Sequence, residues 1–216
     1  MNQQPDSETP LGLSYLRLRK MIGIIGTTLP FVLVLGKFFM EGWGIPGSIS
    51  GYYYTGMRDV FVVGICAIGV FLISYNMYRN DYIAARFAGT FAIGVALLPT
   101  RPDEFATRGQ NIVGNLHLVC AAAFFLILAY FSLALFTKTD PLKIPTRRKL
   151  QRNVIYKICG VTILVCLALM ILAAILPNDT LRDQFQPLFW LESIATLAFG
   201  ISWLIKGEAI LEDKKI

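Results

Sequence analysis

Histidine occurs once in this chain of 216 residues, and charged residues make up only 16% of it. No pair of cysteines has the CxxC spacing of a redox or metal motif. Each shortage excludes a class of function. A lone histidine, His117, cannot ligate a haem of the two-histidine type, and it falls short of the nitrogen-rich ligand sets usual for catalytic zinc. Cys66, Cys120, Cys159 and Cys166 all lie inside apolar runs. They read as small packing residues, with neither a disulfide framework nor a metal site. The G-x-S-x-G elbow of many serine hydrolases is missing. The charge content is well below the roughly one quarter typical of soluble domains. No cofactor and no metal are expected.

Apolar runs fill most of what remains. There are six, Met21–Met40, Asp59–Tyr78, Ala84–Pro99, Ile112–Phe136, Val154–Leu176 and Leu188–Lys206. A helix needs about 20 apolar residues to cross a hydrocarbon core of roughly 30 Å. Five runs meet that length, and Ala84–Pro99 is short. The pattern predicts an all-α polytopic membrane protein, a bundle of six transmembrane helices in one domain over 21–206, with tails at 1–20 and 207–216. The tail 1–20 starts polar and acidic and shows no cleavage site after a short apolar core, so it is expected to be retained rather than removed as a secretory signal.

The sequence pI near 9.2 raises the question of nucleic acid, and the placement of the charges answers against it. With the N-terminus inside, fifteen Lys and Arg residues fall on the inner side, among them Arg17, Arg19, Lys20, the Arg147-Arg148-Lys149 cluster and Lys206. Five fall outside: Lys37, Arg58, Arg101, Arg108 and Arg182. This positive-inside bias predicts both termini in the cytoplasm, and a bacterial inner membrane as the location. Membrane lipids are the expected partners, with a membrane-protein partner or a homodimer as a further option.

Within the spans, Pro30 interrupts the first helix after Thr27 and Thr28, whose hydroxyls are expected to satisfy the carbonyl that proline frees. Lys37 is expected to snorkel. Ala84, Ala88, Ala92 and Ala96 recur every four residues, a flat face suited to the bundle interior. The basic linker at 137–153 contains Pro141 and Pro145 and reads as irregular. No repeat relates the first three runs to the last three, which counts against inverted-repeat transporters.

The loop EGWGIPGSISGYYYTGMRD, residues 41–59, is the most unusual stretch. Its tyrosines suit a membrane interface, and Thr55 or Asp59 suits a helix cap. At 1.5 Å per residue, His117 and Glu192 both lie about 6–8 Å below the same rim. Ser48, Ser50, Tyr54, Arg58, Asp59, His117 and Glu192 are therefore the candidate ligand-binding constellation, because intramembrane ionisable groups mark function by default. The preferred reading is non-enzymatic: an outward-facing pocket for a lipid headgroup or small polar ligand, or a membrane assembly or sensing component. One alternative is a lipid hydrolase or transferase, with Ser48 or Ser50 as nucleophile, His117 as base and Asp59 or Glu192 orienting it. Another is proton-coupled transport through Glu192 and His117. Beyond Ser74, Asn76, Thr162 and Ser202, few polar groups would continue such a path.

The run Pro46-Gly47-Ser48-Ile49-Ser50 before the second apolar run, in a six-span chain, resembles the DRAM-like (Frag/DRAM/Sfk) membrane proteins. It also resembles an uncharacterised bacterial family with a similar Ser-Ile-Ser loop. These groups commonly continue with an acidic residue where this chain has Gly51-Tyr52. The resemblance implies a six-helix fold and no particular chemistry. Membrane zinc hydrolases of the alkaline ceramidase type use three histidines, a serine and an aspartate, and His117 alone does not meet that requirement.

Overall fold

Among the described residues, a proline at the start, a threonine cap and apolar runs interrupted only by Pro30 delimit six helices. In the computed structural model, which describes residues 10–75, 79–102, 106–139, 145–175 and 185–211, these are α1 (Pro10–Glu41), α2 (Arg58–Ile73), α3 (Arg79–Leu97), α4 (Arg108–Tyr130), α5 (Arg147–Ile175) and α6 (Pro187–Lys206). No strand occurs among the described residues. A one-turn 3-10 helix, Ser50–Tyr54, precedes α2, and a π-helical turn, Phe131–Leu135, extends α4. The α4 start is a reciprocal capping box: Thr107 Oγ1 accepts the Gln110 N–H, and Gln110 Oε1 accepts the Thr107 N–H. Pro187 occupies the first turn of α6, where its missing N–H costs nothing.

Among the described residues, four helices are long and apolar enough to cross a membrane: α1, α4 with its π turn, α5 and α6. The other two fall below that measure. α2 has 16 residues and ends at Ile73, where Ser74 Oγ bonds back to the Val70 carbonyl at 2.8 Å. Residues 76–78, expected to continue it, lie outside the described residues. α3 has 19 residues, and Arg79, Asp81 and Arg86 in its first half lower its hydropathy.

The helices form a closed ring in chain order, each packed on its neighbours and α6 closing onto α1. Short connections impose antiparallel neighbours. One end carries residues 42–57 (the loop end); the other carries Arg19, Lys149 and Lys206 (the basic end). Small residues allow the closest crossings. A Cβ placed on Gly200 of α6 would stand 2.5 Å from the Thr27 nitrogen of α1, and one on Gly26 would stand 3.1 Å from the Gly200 Cα. A Cβ on Gly69 of α2 would meet the Gly89 carbonyl of α3 at 2.9 Å. The alanine stripe of α3 packs inward as expected, with Ala88, Ala92 and Ala96 fully buried. Ala84 is only partly buried, and its neighbour Ala85 takes the buried place.

The outer surface is apolar. Phe31, Leu35 and Phe39 line one exposed stripe of α1, and Ile158, Val161, Val165 and Leu172 line another on α5. Soluble monomers rarely expose such continuous patches, and hydrocarbon is the solvent that suits them. Inside, the rare hydroxyls pair with each other: Ser132 Oγ donates to Ser202 Oγ at 3.1 Å between the π turn and α6. The threonines before Pro30 depart from expectation. Thr27 and Thr28 bond back to the Gly23 and Ile24 carbonyls, one turn earlier than the Gly26 carbonyl that proline frees. A threonine hydroxyl in a helix reaches its own i−3 or i−4 carbonyl, and from positions 27 and 28 that is one of residues 23 to 25, never 26. Lys37 forms an i,i+4 ion pair with Glu41 at 3.6 Å.

Gly200→Val places branched carbon where α1 backbone now stands, and should cost at least about 1–3 kcal/mol. Thermal unfolding of purified protein in detergent should show this loss for Gly200→Val and none for Gly109→Ala, whose Cβ would meet nothing within 4 Å.

Candidate functional site

The loop end is built by a segment that folds back into the bundle. Gly42 (φ 83°) and Gly44 (φ 149°) take backbone conformations that L side chains rarely adopt, which turns the chain sharply after α1. Ser48 Oγ then accepts the Gly51 N–H at 2.9 Å and closes the following turn. This drives Ile49, Ser50 and Tyr52 into burial. Tyr52 is fully buried against Phe189, its hydroxyl makes no hydrogen bond, and burial pushes its phenol up to about 12. Thr55 Oγ1 accepts the Met57 N–H at 3.2 Å, and α2 begins without a side-chain cap from Asp59.

Glu192 of α6 meets this folded-back segment. Its Oε2 accepts the Ser50 N–H at 3.2 Å. The carboxylate thus holds the first N–H of the 3-10 turn, which has no partner within the turn itself. Below it lies a narrow cavity of about 30 Å³ whose walls include Phe61, Ile65, Val95, Phe124 and Thr196. That is room for about one or two water molecules. A lipid headgroup does not fit there.

The remaining candidates occupy separate places. Arg58 is exposed at the rim; its guanidinium lies 4.4 Å from the Tyr53 ring centroid and donates to the Tyr53 hydroxyl at 2.7 Å. Asp59 is exposed beside it. Tyr54 donates to the Thr100 carbonyl at 2.6 Å, tying the loop to the end of α3. His117 is buried on α4, its Nδ1 2.7 Å from the Leu98 carbonyl. A carbonyl only accepts, so Nδ1 carries the proton and the ring is a strap between α4 and α3. The structure therefore joins Ser50 to Glu192 and Arg58 to Tyr53. Among the described residues no hydrogen bond links His117 to Ser48, Ser50, Asp59 or Glu192. Nor are three His, Cys, Asp or Glu side chains grouped for a metal ion among them.

A second polar cluster, at the basic end, escaped the sequence reading. Arg19, 2% exposed, donates through Nε and Nη2 to the Tyr75 hydroxyl and through Nη1 to the Lys206 carbonyl. Asp81, 4% exposed, lies 3.7 Å from the Lys138 ammonium. The available signal was Asp81 standing between Arg79 and Arg86 at the edge of the third apolar run. No protein-family model, curated protein or solved structure matches the chain.

Removing the Glu192 acceptor leaves the Ser50 N–H unsatisfied at roughly 1–3 kcal/mol. Hydrogen exchange at residues 49–54 should accelerate in Glu192→Ala and much less in Glu192→Gln, which keeps an acceptor oxygen. Equal exchange in wild type and Glu192→Ala would remove the carboxylate from this role.

Proposed function

We propose that the chain is a six-span protein of a bacterial cytoplasmic membrane, with both termini in the cytoplasm. Its extracytoplasmic rim binds an anionic lipid headgroup or small polar ligand, in a sensing or assembly role without catalysis. Support for six spans comes from the ring itself: α2 and α3 pack on each other and fill the gap between the long helices α1 and α4. The fifteen-to-five division of Lys and Arg supports the orientation.

One observation carries the binding site. Arg58 is exposed yet preorganised, stacked on Tyr53 and hydrogen-bonded to its hydroxyl. A guanidinium fixed this way has further N–H donors to offer a phosphate or carboxylate in a planar fork. The half-buried Ser50–Glu192 contact below acts as the footing of the loop that presents it. In this reading the ligand sits on the rim, above the small cavity, with Tyr53 and Tyr54 at headgroup level and Asp59 setting a local negative charge that selects among ligands.

Arg58→Ala should abolish complementation of a deletion strain at unchanged protein abundance, and Arg58→Lys should restore it only in part, since a point charge lacks the fork. Full complementation by Arg58→Ala would sink the rim site. Reporter fusions at both termini should read cytoplasmic; a periplasmic signal from either would sink the orientation.

A further inference from the structure

The narrow cavity beneath the folded-back loop is walled by that loop and by α2, α3, α4 and α6. Among the described residues, three of its wall residues carry side-chain oxygen: Ser50, Glu192 and Thr196. Every other described wall residue is apolar, Phe61, Phe124 and Phe199 among them. Glu192 and Thr196 stand one turn apart on the same face of α6, at the i,i+4 spacing that makes side chains neighbours. The Ser50 N–H reaches Glu192 Oε2 at 3.2 Å. The cavity thus gathers the three oxygen-bearing side chains, two from one helix and one from the loop.

Their bonding is incomplete. Among the described residues no lysine, arginine or histidine stands within ion-pair distance of the Glu192 carboxylate. An ionised carboxylate offers about four acceptor sites, and the Ser50 N–H fills one. Ser50 and Thr196 are buried, yet neither hydroxyl has a hydrogen-bond partner among the described residues. That sets Thr196 apart from Thr28, Ser193 and Ser202, whose hydroxyls bond back to carbonyls of their own helices. A carboxylate below the membrane rim is costly unless something meets its charge. Hydroxyls without partners in the same wall add to that cost.

We propose that this cavity binds a small monovalent cation, sodium by size, held by the Glu192 carboxylate and the hydroxyl oxygens of Ser50 and Thr196. The donor set is all oxygen, which suits a hard cation and offers a transition metal neither nitrogen nor sulfur. One carboxylate balances one positive charge, whereas a divalent ion would leave net charge against apolar walls. Room decides the same way. About 30 Å³ holds the ion with about one water, while magnesium keeps several waters and calcium takes about six to eight oxygens. The bound ion ties the loop to α6 through Ser50 and Thr196 at once. The site lies beneath the rim and does not rest on ligand binding by Arg58.

The test uses the full chain purified in detergent at one fixed pH. Thermal unfolding is read in sodium chloride and in choline chloride at equal ionic strength, choline being too large for the cavity. Wild type should unfold about 2–4 °C higher in sodium chloride, the shift expected once sodium exceeds its dissociation constant several-fold. Hydrogen exchange at residues 49–54 should slow in the same buffer, because the ion braces the turn against α6. Glu192→Gln keeps an acceptor for the Ser50 N–H and loses the charge, so its midpoint should be the same in both salts. Thr196→Val keeps the side-chain shape and loses one oxygen, so it should shrink the sodium shift without abolishing it. Equal midpoints and equal exchange for wild type in the two salts overturn the proposal and assign the cavity to water. A sodium shift that persists at full size in Glu192→Gln overturns it as well. The wild-type comparison needs no variant to fold.

Discussion

Backbone-to-backbone approach of α1 and α6 is the contact on which the rest depends. Gly26 and Gly200 bring the two helices so close that neither position has room for a Cβ. In hydrocarbon no hydrophobic force pushes helices together, so association rests on dispersion and on small residues that let backbones touch. This crossing closes the ring, and α6 carries a polar group at each end of it. Glu192 reaches the folded-back loop, and the Lys206 carbonyl receives Arg19. Loosening the crossing would disturb both ends at once.

The two ends solve the same physical problem in different ways. At the loop end a single carboxyl group accepts the backbone N–H of Ser50. At the basic end cations meet aromatic rings, carbonyl oxygens and the buried Asp81 carboxylate, 3.7 Å from the Lys138 ammonium. The first arrangement fixes a loop. The second ties the ends of α1, α4 and α6 together. Between them Ser132 donates to Ser202 in the interior.

Much of the architecture was legible in the chain because burial in lipid imposes a coarse pattern. Each apolar run became a helix, since every backbone polar group must be satisfied internally in hydrocarbon. The small-residue stripe of α3 turned inward for the same reason that it was noticed: alanine offers no bulk to hold a neighbour away. The candidate site was harder to read. Depth placed His117, Glu192, Arg58 and Asp59 in one layer, but depth is only one of three coordinates. Azimuth around each helix separated them. His117 turned to Leu98, Arg58 to Tyr53, and Glu192 to Ser50.

The helical class and the apolar belt followed from composition and run length alone, because a 1.5 Å rise and the bilayer's thickness leave few alternatives. The inner cluster needed the folded chain. Arg19, Tyr75, Asp81, Lys138, Trp203 and Lys206 come from five separate segments and look like ordinary topogenic charges and interfacial aromatics when read in order. Only ring closure brings them to one place. Such long-range meetings are set by which faces pack, and one-dimensional hydropathy carries no information about the rotation of one helix against another.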